Sequence, residues 1–365
     1  MKILWLAPNF NHYKARFLNH LAEDVDVDLT ILSGSGRTQM GDQELEGDWS
    51  FAHRRLNVSK KEFGYSKQVN NELKLIFADF DWVLIPAEKK NLLLFLYAMK
   101  LRKTNKTIRL FSYNHPILKS KDGKITWLDK LLTKFYYKKL DRIIFYTEQS
   151  HDWAIKNKLI DSKKAFWANN TLDNIEIQKY YTYQLPPLDD HQHLLFIGRL
   201  IPSKRIGELI EYFNRLKTLI PGLELDIIGD GPESHIIKKA IENRGEGITW
   251  HGSLVNEDKI APIMSKASIV FIPGHSGLSI NHAFAYGRPY ISLQGPSHAP
   301  ELDYITDGEN GYILTGDFDS NIKTIKDLLI NRRQLEQFCN NAKAKSEYLS
   351  VENWVQQLKS SLLYE

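Results

Sequence analysis

Along this chain the period of the apolar positions changes repeatedly. Short β-rich runs (ILWLAP, VDLTILS, DWVLIPA, TIRLFSY, DRIIFYT and AFWAN) alternate with stretches whose apolar residues recur at helical spacing, such as Tyr13, Phe17, Leu18 and Leu21. Such alternation predicts βαβ units joined by right-handed crossovers on a parallel sheet. The rhythm breaks at YTYQLPPLDDHQH, from Tyr181 to His193, where paired prolines and aspartates without periodicity mark an interdomain linker. A second series follows: HLLFIGRL, a helix from about Lys204 to Leu219, LELDIIGDGPE, a helix to Arg244, GITWHGSL, a helix, SIVFIPG, a helix and PYISLQG. The chain therefore reads as two doubly wound α/β domains, 1–183 and 184–345, followed by 346–365 as a C-terminal helix. The stripe Trp354, Leu358 and Leu362 should dock that helix, packing it back on the first domain.

Composition supports two cores and narrows the setting. A chain of 365 residues exceeds one ordinary core and fits two domains of roughly 170 to 190 residues. The one cysteine, Cys339, falls in the polar helical stretch RRQLEQFCNNAKAK, which excludes a disulfide framework or a cysteine metal site and points to a reducing, cytoplasmic setting. ILWLAP is short and is followed at once by Asn9, Asn11 and Lys14, so it does not read as a signal peptide. LLLFLYAM, Leu92 to Met99, is far below the roughly 20 residues that span a bilayer. A net charge of +4 does not suggest nucleic-acid binding, although basic residues crowd between Lys100 and Arg142. There ITWLDKLLTKFYYKKLDR joins Trp127, Leu128, Leu131, Leu132, Phe135 and Tyr136 to Lys130, Lys134, Lys138, Lys139 and Arg142. The ordinary reading is a helix packing its apolar side on a sheet; the other is a basic, aromatic surface facing anionic membrane.

Ligands of doubly wound sheets bind beyond the carboxyl ends of the strands, so those ends hold the candidate chemistry. Arg199 follows FIG and Lys204 opens the next helix. By spacing alone they are solvated charges; beside a cleft they would bind a diphosphate, Arg through its planar fork and Lys as a point charge. GDGPES, with Gly229 and Gly231, resembles the dinucleotide fingerprint, but Ser234 replaces the third glycine and the next strand ends in His251 rather than an acid. A tight turn needing glycine is the better reading. After SIVFIPG, Ser276 or Gly277 is expected to cap a helix starting near Leu278, whose free N–H groups would make an anion site. His282, one turn on, is by itself a core or surface histidine.

In order and spacing, FIGRLIPSKRIGELIEYF, LELDIIGDGPE, ITWHGSL, SIVFIPG, GLSINHAFAYGRPYIS and ELDYITDGENGYIL resemble the C-terminal lobe of the family-four retaining glycosyltransferases. The likeness is dense from Phe196 to Leu314 and looser over the first domain. It implies the GT-B fold, two Rossmann-like parallel-sheet domains facing across a cleft. It also implies a nucleoside diphosphate sugar as donor, with Arg199 and Lys204 on the diphosphate and Gly198, Gly229, Gly231, Leu254, His275, Ser276, Gly277 and Leu278 around it. The family carries two glutamates flanking the glycine loop, and here those positions are Gly274 and His282. The second normally binds the ribose hydroxyls, a task His282 would take as donor or acceptor; the first normally contacts the sugar. Glu301 aligns with a family acid ahead of Asp307, Gly308, Asn310 and Gly311. In the first domain SYNHP places His115 where relatives often carry a His beside the transferred sugar. FWANNTLD resembles the signature that ends that domain, and His12, Tyr13 and Lys14 after the first strand are candidate acceptor contacts.

The activity implied is sugar transfer with retention to a glycan or lipid-linked acceptor in cell-surface polysaccharide synthesis, with UDP the first choice of nucleotide and GDP the second. Leaving-group charge would be neutralised by protein cations, so no metal and no further cofactor are expected. The two missing glutamates keep open a protein that binds a sugar nucleotide or glycan without transferring it; a sugar-nucleotide epimerase shares the fold but not this motif order.

Overall fold

The computed structural model describes residues 1–35, 47–117, 125–187, 192–244, 246–295 and 298–364. They form two compact units, each with its own parallel sheet and core.

The first unit holds strands β1 (Lys2–Ala7), β2 (Asp28–Ser33), β3 (Ala52–Arg55), β4 (Trp82–Leu84), β5 (Arg109–Asn114), β6 (Arg142–Phe145) and β7 (Ala165–Trp167). Its helices are α1 (His12–Ala22), α2 (Lys67–Ile76), α3 (Leu92–Thr104), α4 (Trp127–Lys139) and α5 (Glu148–Lys156). The sheet order is β3-β2-β1-β4-β5-β6-β7, every pair parallel, so the direction of winding reverses between β1 and β4. Strands β1, β4 and β5 are buried on both faces, as their continuous apolar runs require. Strand β3, Ala-His-Arg-Arg, has no apolar signal: it is an exposed edge strand whose one strand partner among the described residues is β2.

Helix α4 departs from the packing expected for it. It buries Asp129, Thr133, Tyr136 and Tyr137, and exposes Trp127, Leu128, Leu131 and Phe135 beside Lys130, Lys134 and Lys138. Polar anchors set this phase. Thr126 and Asp129 form a reciprocal capping box, buried Asp129 is ion-paired with Lys89, and the Tyr136 and Tyr137 hydroxyls donate to the carbonyls of Glu88 and His115 at 3.2 and 3.0 Å. Residues 118–124, between His115 and this helix, lie outside the described set.

The second unit holds α6 (Asn174–Tyr180), β8 (His193–Ile197), α7 (Ile206–Leu219), β9 (Glu224–Ile228), α8 (Ser234–Arg244), β10 (Ile248–Gly252), α9 (Glu257–Lys266), β11 (Ile269–Phe271), α10 (Ser279–Ala285), β12 (Tyr290–Leu293), β13 (Gly311–Leu314), α11 (Phe318–Ile330) and α12 (Arg332–Tyr348). Its sheet order is β10-β9-β8-β11-β12-β13, again parallel throughout, with the switch between β8 and β11. Cys339, placed by its neighbours in a polar stretch, is fully buried in this core, and burial pushes its thiol up to about 11.

The boundaries fall at Asn170/Thr171 and Ser350/Val351, compared with 183 and 345 read from the sequence. Leu172, Ile177 and Tyr181 belong to the second core. The fully buried Arg288 ties the following residues to it, donating to the carbonyls of Gln184, Met264 and Ser265 at 2.8–3.0 Å. The second half of the supposed linker, 188–191, lies outside the described residues. The last helix, α13 (Val351–Leu363), completes the first unit. Trp354 is 1% exposed, its indole N–H donates to Tyr113 at 3.1 Å, and its ring meets those of Trp5 and Phe17, while Leu358 and Leu362 are fully buried.

Candidate functional site

At the β8/β11 switch of the second unit, two strand exits meet. The chain leaves β8 through Gly198 and Arg199 and leaves β9 through Gly229 and Gly231. A Cβ at Gly229, where φ is +140°, would lie 1.9 Å from the Gly198 carbonyl oxygen, and one at Gly231 would lie 2.5 Å from that of Leu200. No side chain fits between these turns, so the glycines serve close backbone approach. Three backbone bonds join them: Gly198 to Ile228, Leu200 to Asp230 and Glu233 to Leu200, at 2.9–3.0 Å. This pins Arg199, half-buried, at the strand end.

The chain then makes a single 3-10 turn, Pro202–Lys204, and Arg205 adopts a left-handed conformation (φ 60°, ψ 50°) before α7 starts at Ile206, later than its sequence-read start. The turn folds Lys204 back over Gly198, where an added Cβ would stand 3.5 Å from the lysine Nζ. Lys204 is 8% exposed. Burial, and then the Arg199 charge, push its ammonium down to about 8 against the opposing pull of Glu301. Glu301, itself buried, places Oε2 3.9 Å from where a Gly277 Cβ would be. Arg199, Lys204, Glu301 and Gly277 therefore converge on one small volume.

The loop after β11 differs from expectation in three ways. First, Gly274 packs on the Lys204 turn: a Cβ there would lie 2.2 Å from the Ser203 oxygen and 2.7 Å from the Lys204 Cα. The His275 N–H donates to Ser203 at 2.7 Å and the Arg205 guanidinium to Pro273 at 3.3 Å, so turn and loop are tied. Second, Ser276 is not a helix cap. Helix α10 begins at Ser279 with Leu278 at its N-cap, without a side-chain bond there, and it spans only seven residues, which weakens the dipole expected at Gly277. The Ser276 hydroxyl is fully buried and bonds the Gly274 carbonyl, Ser292 and Tyr290. Third, the amides of His275 and Ser276, read as ligand donors, are engaged within the protein. The Ser276 N–H donates to Nδ1 of His298 at 3.2 Å, and Nε2 of that ring donates to the Leu293 carbonyl at 2.9 Å. Burial holds the His298 imidazole below its ordinary range, and Lys204 and Arg205 add to this against the Leu293 bond. No sequence pattern marked His298, which acts only through the folded loop.

His282 lies away from solvent, 3% exposed, with Nε2 3.2 Å from Oε2 of Glu257, which also accepts from the Tyr286 hydroxyl at 2.7 Å. Burial, and then the Glu257 carboxylate, raise the Tyr286 phenol far above its ordinary value. Leu254, in the loop that leads to Glu257, is half-buried against the core. A cavity of about 310 Å³ opens at the ends of β12 and β13, lined by Arg205, Glu208, Tyr212, Gln294, Thr315 and Asn321; it adjoins the Lys204 turn only through Arg205.

In the first unit the candidates follow β1 and β5, flanking its own switch. His12 is buried in the first turn of α1 with its ring 4.0 Å from that of Tyr13, which is half-buried. Lys14 Nζ donates to the Asn9 carbonyl at 3.0 Å. His115 is exposed, its ring edge-on to Tyr146, and its carbonyl is held by Tyr137 and Asn114. Of the three acceptor candidates, His12 is thus the one the fold turns inward. Among the described residues no group of three or more His, Cys, Asp or Glu is arranged to hold a metal ion.

This architecture, with a cationic pair at the second switch, is that of the GT-B class, and residues 191–331 match the family described as Glycosyl transferases group 1. The chain is similar to the poly(glycerol-phosphate) alpha-glucosyltransferase of Bacillus subtilis (strain 168), 27% identical over 239 residues, 59% of this chain and 32% of that protein. The chain thus spans about a third of that relative's length. Among solved structures it is similar to Anabaena HepE in complex with UDP and glucose (TM-score 0.70, 15% identity, 100% of both chains). It also resembles the sucrose-phosphate synthase of Thermosynechococcus elongatus (TM-score 0.71, 14% identity, 99% of this chain and 98% of that one).

Proposed function

We propose that the chain transfers a sugar from a nucleoside diphosphate sugar to a glycan or lipid-linked acceptor in polysaccharide or teichoic-acid synthesis. UDP is the preferred nucleotide and the anomeric configuration is retained. The observation that carries this reading is the convergence of Arg199, Lys204, Glu301 and Gly277 at the β8/β11 switch, where such sheets bind ligands. A relative's printed name supports the acceptor class, and a similar structure holding UDP supports the base. In the proposed step the bond from sugar C1 to the β-phosphate oxygen breaks and its electron pair goes to the diphosphate. Arg199 and Lys204 neutralise that growing charge, and the acceptor oxygen forms the new bond to C1 as its proton passes to a departing phosphate oxygen. The sugar-handling groups are fewer than in the resemblance, because position 274 has no room for a carboxylate. Ser276 hydroxyl and amide being engaged, Gly277 and His115 are the groups assigned to sugar or acceptor. His12, Tyr13 and Lys14 are assigned to the acceptor.

Purified protein incubated with UDP- and GDP-sugars and candidate polyol-phosphate or glycan acceptors should release nucleoside diphosphate only when acceptor is present, and Lys204→Ala should abolish release. Binding of nucleotide without release under any acceptor would remove the transferase reading and leave the binding-only one, which the closed Gly274 position favours. The proposal extends to peripheral attachment. The exposed Trp127, Leu128, Leu131 and Phe135 of α4, with Lys130, Lys134 and Lys138, have the composition of a face that inserts shallowly at an anionic bilayer. No described helix is long and apolar enough to cross a membrane.

A further inference from the structure

The cavity at the ends of β12 and β13 has no part in the chemistry assigned so far. At about 310 Å³ it stands at the lower end of the range of about 300 to 1,000 Å³ for ligand pockets, room for one sugar ring but not for a nucleotide sugar. Its apolar lining comes from Leu293 and Leu314, the last residues of the two strands, and from Phe318, the first residue of α11. Bonds within the protein fix two of its walls. Arg205 holds the Glu208 carboxylate through two hydrogen bonds and the Pro273 carbonyl through a third. Asn321, 6% exposed, donates to the Gly316 carbonyl at 2.9 Å and to the Tyr212 hydroxyl at 3.1 Å, and accepts from the Gly316 N–H. These bonds set the shape before any ligand arrives. Three further lining side chains, Glu211 of α7, Gln294 after β12 and Thr315 after β13, are exposed and make no hydrogen bond or ion pair with any described residue.

Charge and bonding pattern select the ligand. Two carboxylates line the cavity against one guanidinium, which disfavours an anion. Arg205 neutralises Glu208, and among the described residues no group of three or more His, Cys, Asp or Glu is arranged to hold a metal ion. Glu211 offers a carboxylate that accepts, Gln294 an amide that both donates and accepts, and Thr315 a hydroxyl that does the same. Set around Leu293, Leu314 and Phe318, these groups complement a pyranose, whose rim carries hydroxyls and whose faces carry C–H groups. We propose that this cavity binds a neutral hexose ring, free or as one residue of a glycan, at a site separate from both the donor and the acceptor of the transfer step. The inference is independent of the phosphate reading, because none of Glu211, Gln294 and Thr315 belongs to the Lys204 turn. No motif in the sequence contained these three residues, which lie on three separate elements and meet only in the fold.

The test titrates the full chain, by saturation-transfer NMR and calorimetry, with the methyl glycosides of glucose, galactose, mannose and N-acetylglucosamine and with maltohexaose. Inorganic phosphate serves as the anionic probe and putrescine as the cationic one. At least one glycoside should bind. Glu211→Ala, which removes a charged acceptor, should weaken it about tenfold, and Gln294→Ala about fivefold. Both residues are exposed, so both variants should fold, as circular dichroism would check. Lys204→Ala should leave sugar affinity unchanged. Equal affinity for glycoside and maltohexaose supports the proposal with a free ring as ligand, and a preference for maltohexaose supports it with a chain. Sugar binding that survives both Glu211→Ala and Gln294→Ala, or that collapses in Lys204→Ala, overturns it, because the ring then sits elsewhere. So does a cavity that takes phosphate or putrescine and no sugar. A chain that binds no nucleoside diphosphate, yet loses sugar affinity in Glu211→Ala, keeps this site and overturns the donor reading instead.

Discussion

Under the proposed function, Lys204 would divide its effect between stability and ligand binding. Its ammonium, held at about 8 against an ordinary 10.5, is costly to keep charged in the fold. The unfolded chain binds the extra proton between those two values, so folding stability should rise with pH across that window. A bound diphosphate reverses the preference by supplying the missing counter-charge. UDP affinity should therefore fall as pH rises through 8, with proton uptake on binding, both read by calorimetry in buffers of different ionisation enthalpy. Affinity that stays flat to pH 10 would show that Lys204 does not meet the phosphates. Lys204→Met should raise the melting temperature at neutral pH, a gain on the order of 2 kcal/mol, and abolish phosphate binding. At this scale the sequence located Arg199 and Lys204 near one strand exit, and the fold brings the two cations together there. It was silent where a side chain depends on a partner met only in the fold. Nothing near Glu257 or His298 marks either residue, and Gly274 read as a lost glutamate rather than as a loop packed against the Lys204 turn.

Among the elements, apolar runs buried on both faces were plain from their composition, and all six strands read in the first series are present. The missed β3 is an exposed edge strand, Ala-His-Arg-Arg, held by backbone pairing to β2 and by polar contacts of His53 with Ser33 and of Arg54 with Glu72. Helix α4 shows the converse error. Its apolar stripe is real, but capping, an ion pair and two tyrosine hydroxyls outweigh it in choosing the inward face, and a hydrophobic pattern cannot register those bonds. In α13 pattern and packing agree. Trp354→Ala would leave Trp5, Phe17 and Tyr113 around a void, and should cost about 3–5 kcal/mol in denaturant unfolding. A loss below 1 kcal/mol would mean that this helix is not integral to the first core.

For the whole molecule, the alternation of strand and helix was enough to give two parallel sheets, and the Pro-rich stretch suggested a division at 183, whereas the compact units meet at Asn170/Thr171. It misplaced the boundary because Tyr181 and Tyr183 sit among loop-forming residues, while their rings and hydroxyls bind the second unit. Residues 171–350 expressed alone should fold cooperatively and bind UDP, because their core is complete. Residues 1–170 alone should not, because α13 is missing from theirs. A cooperative melt from 1–170 would refute this division. The position of α13 also bears on events at the ribosome. Its residues emerge only after all of Thr171–Ser350 has been made, an interval of about 10–40 s at ordinary elongation speeds. Throughout that time the nascent β1 and β5 carry Trp5 and Tyr113 without their final cover. Chaperone demand should therefore peak late in translation, and a stall after Ser350 should leave the first half, though synthesised first, the half more readily cut by protease.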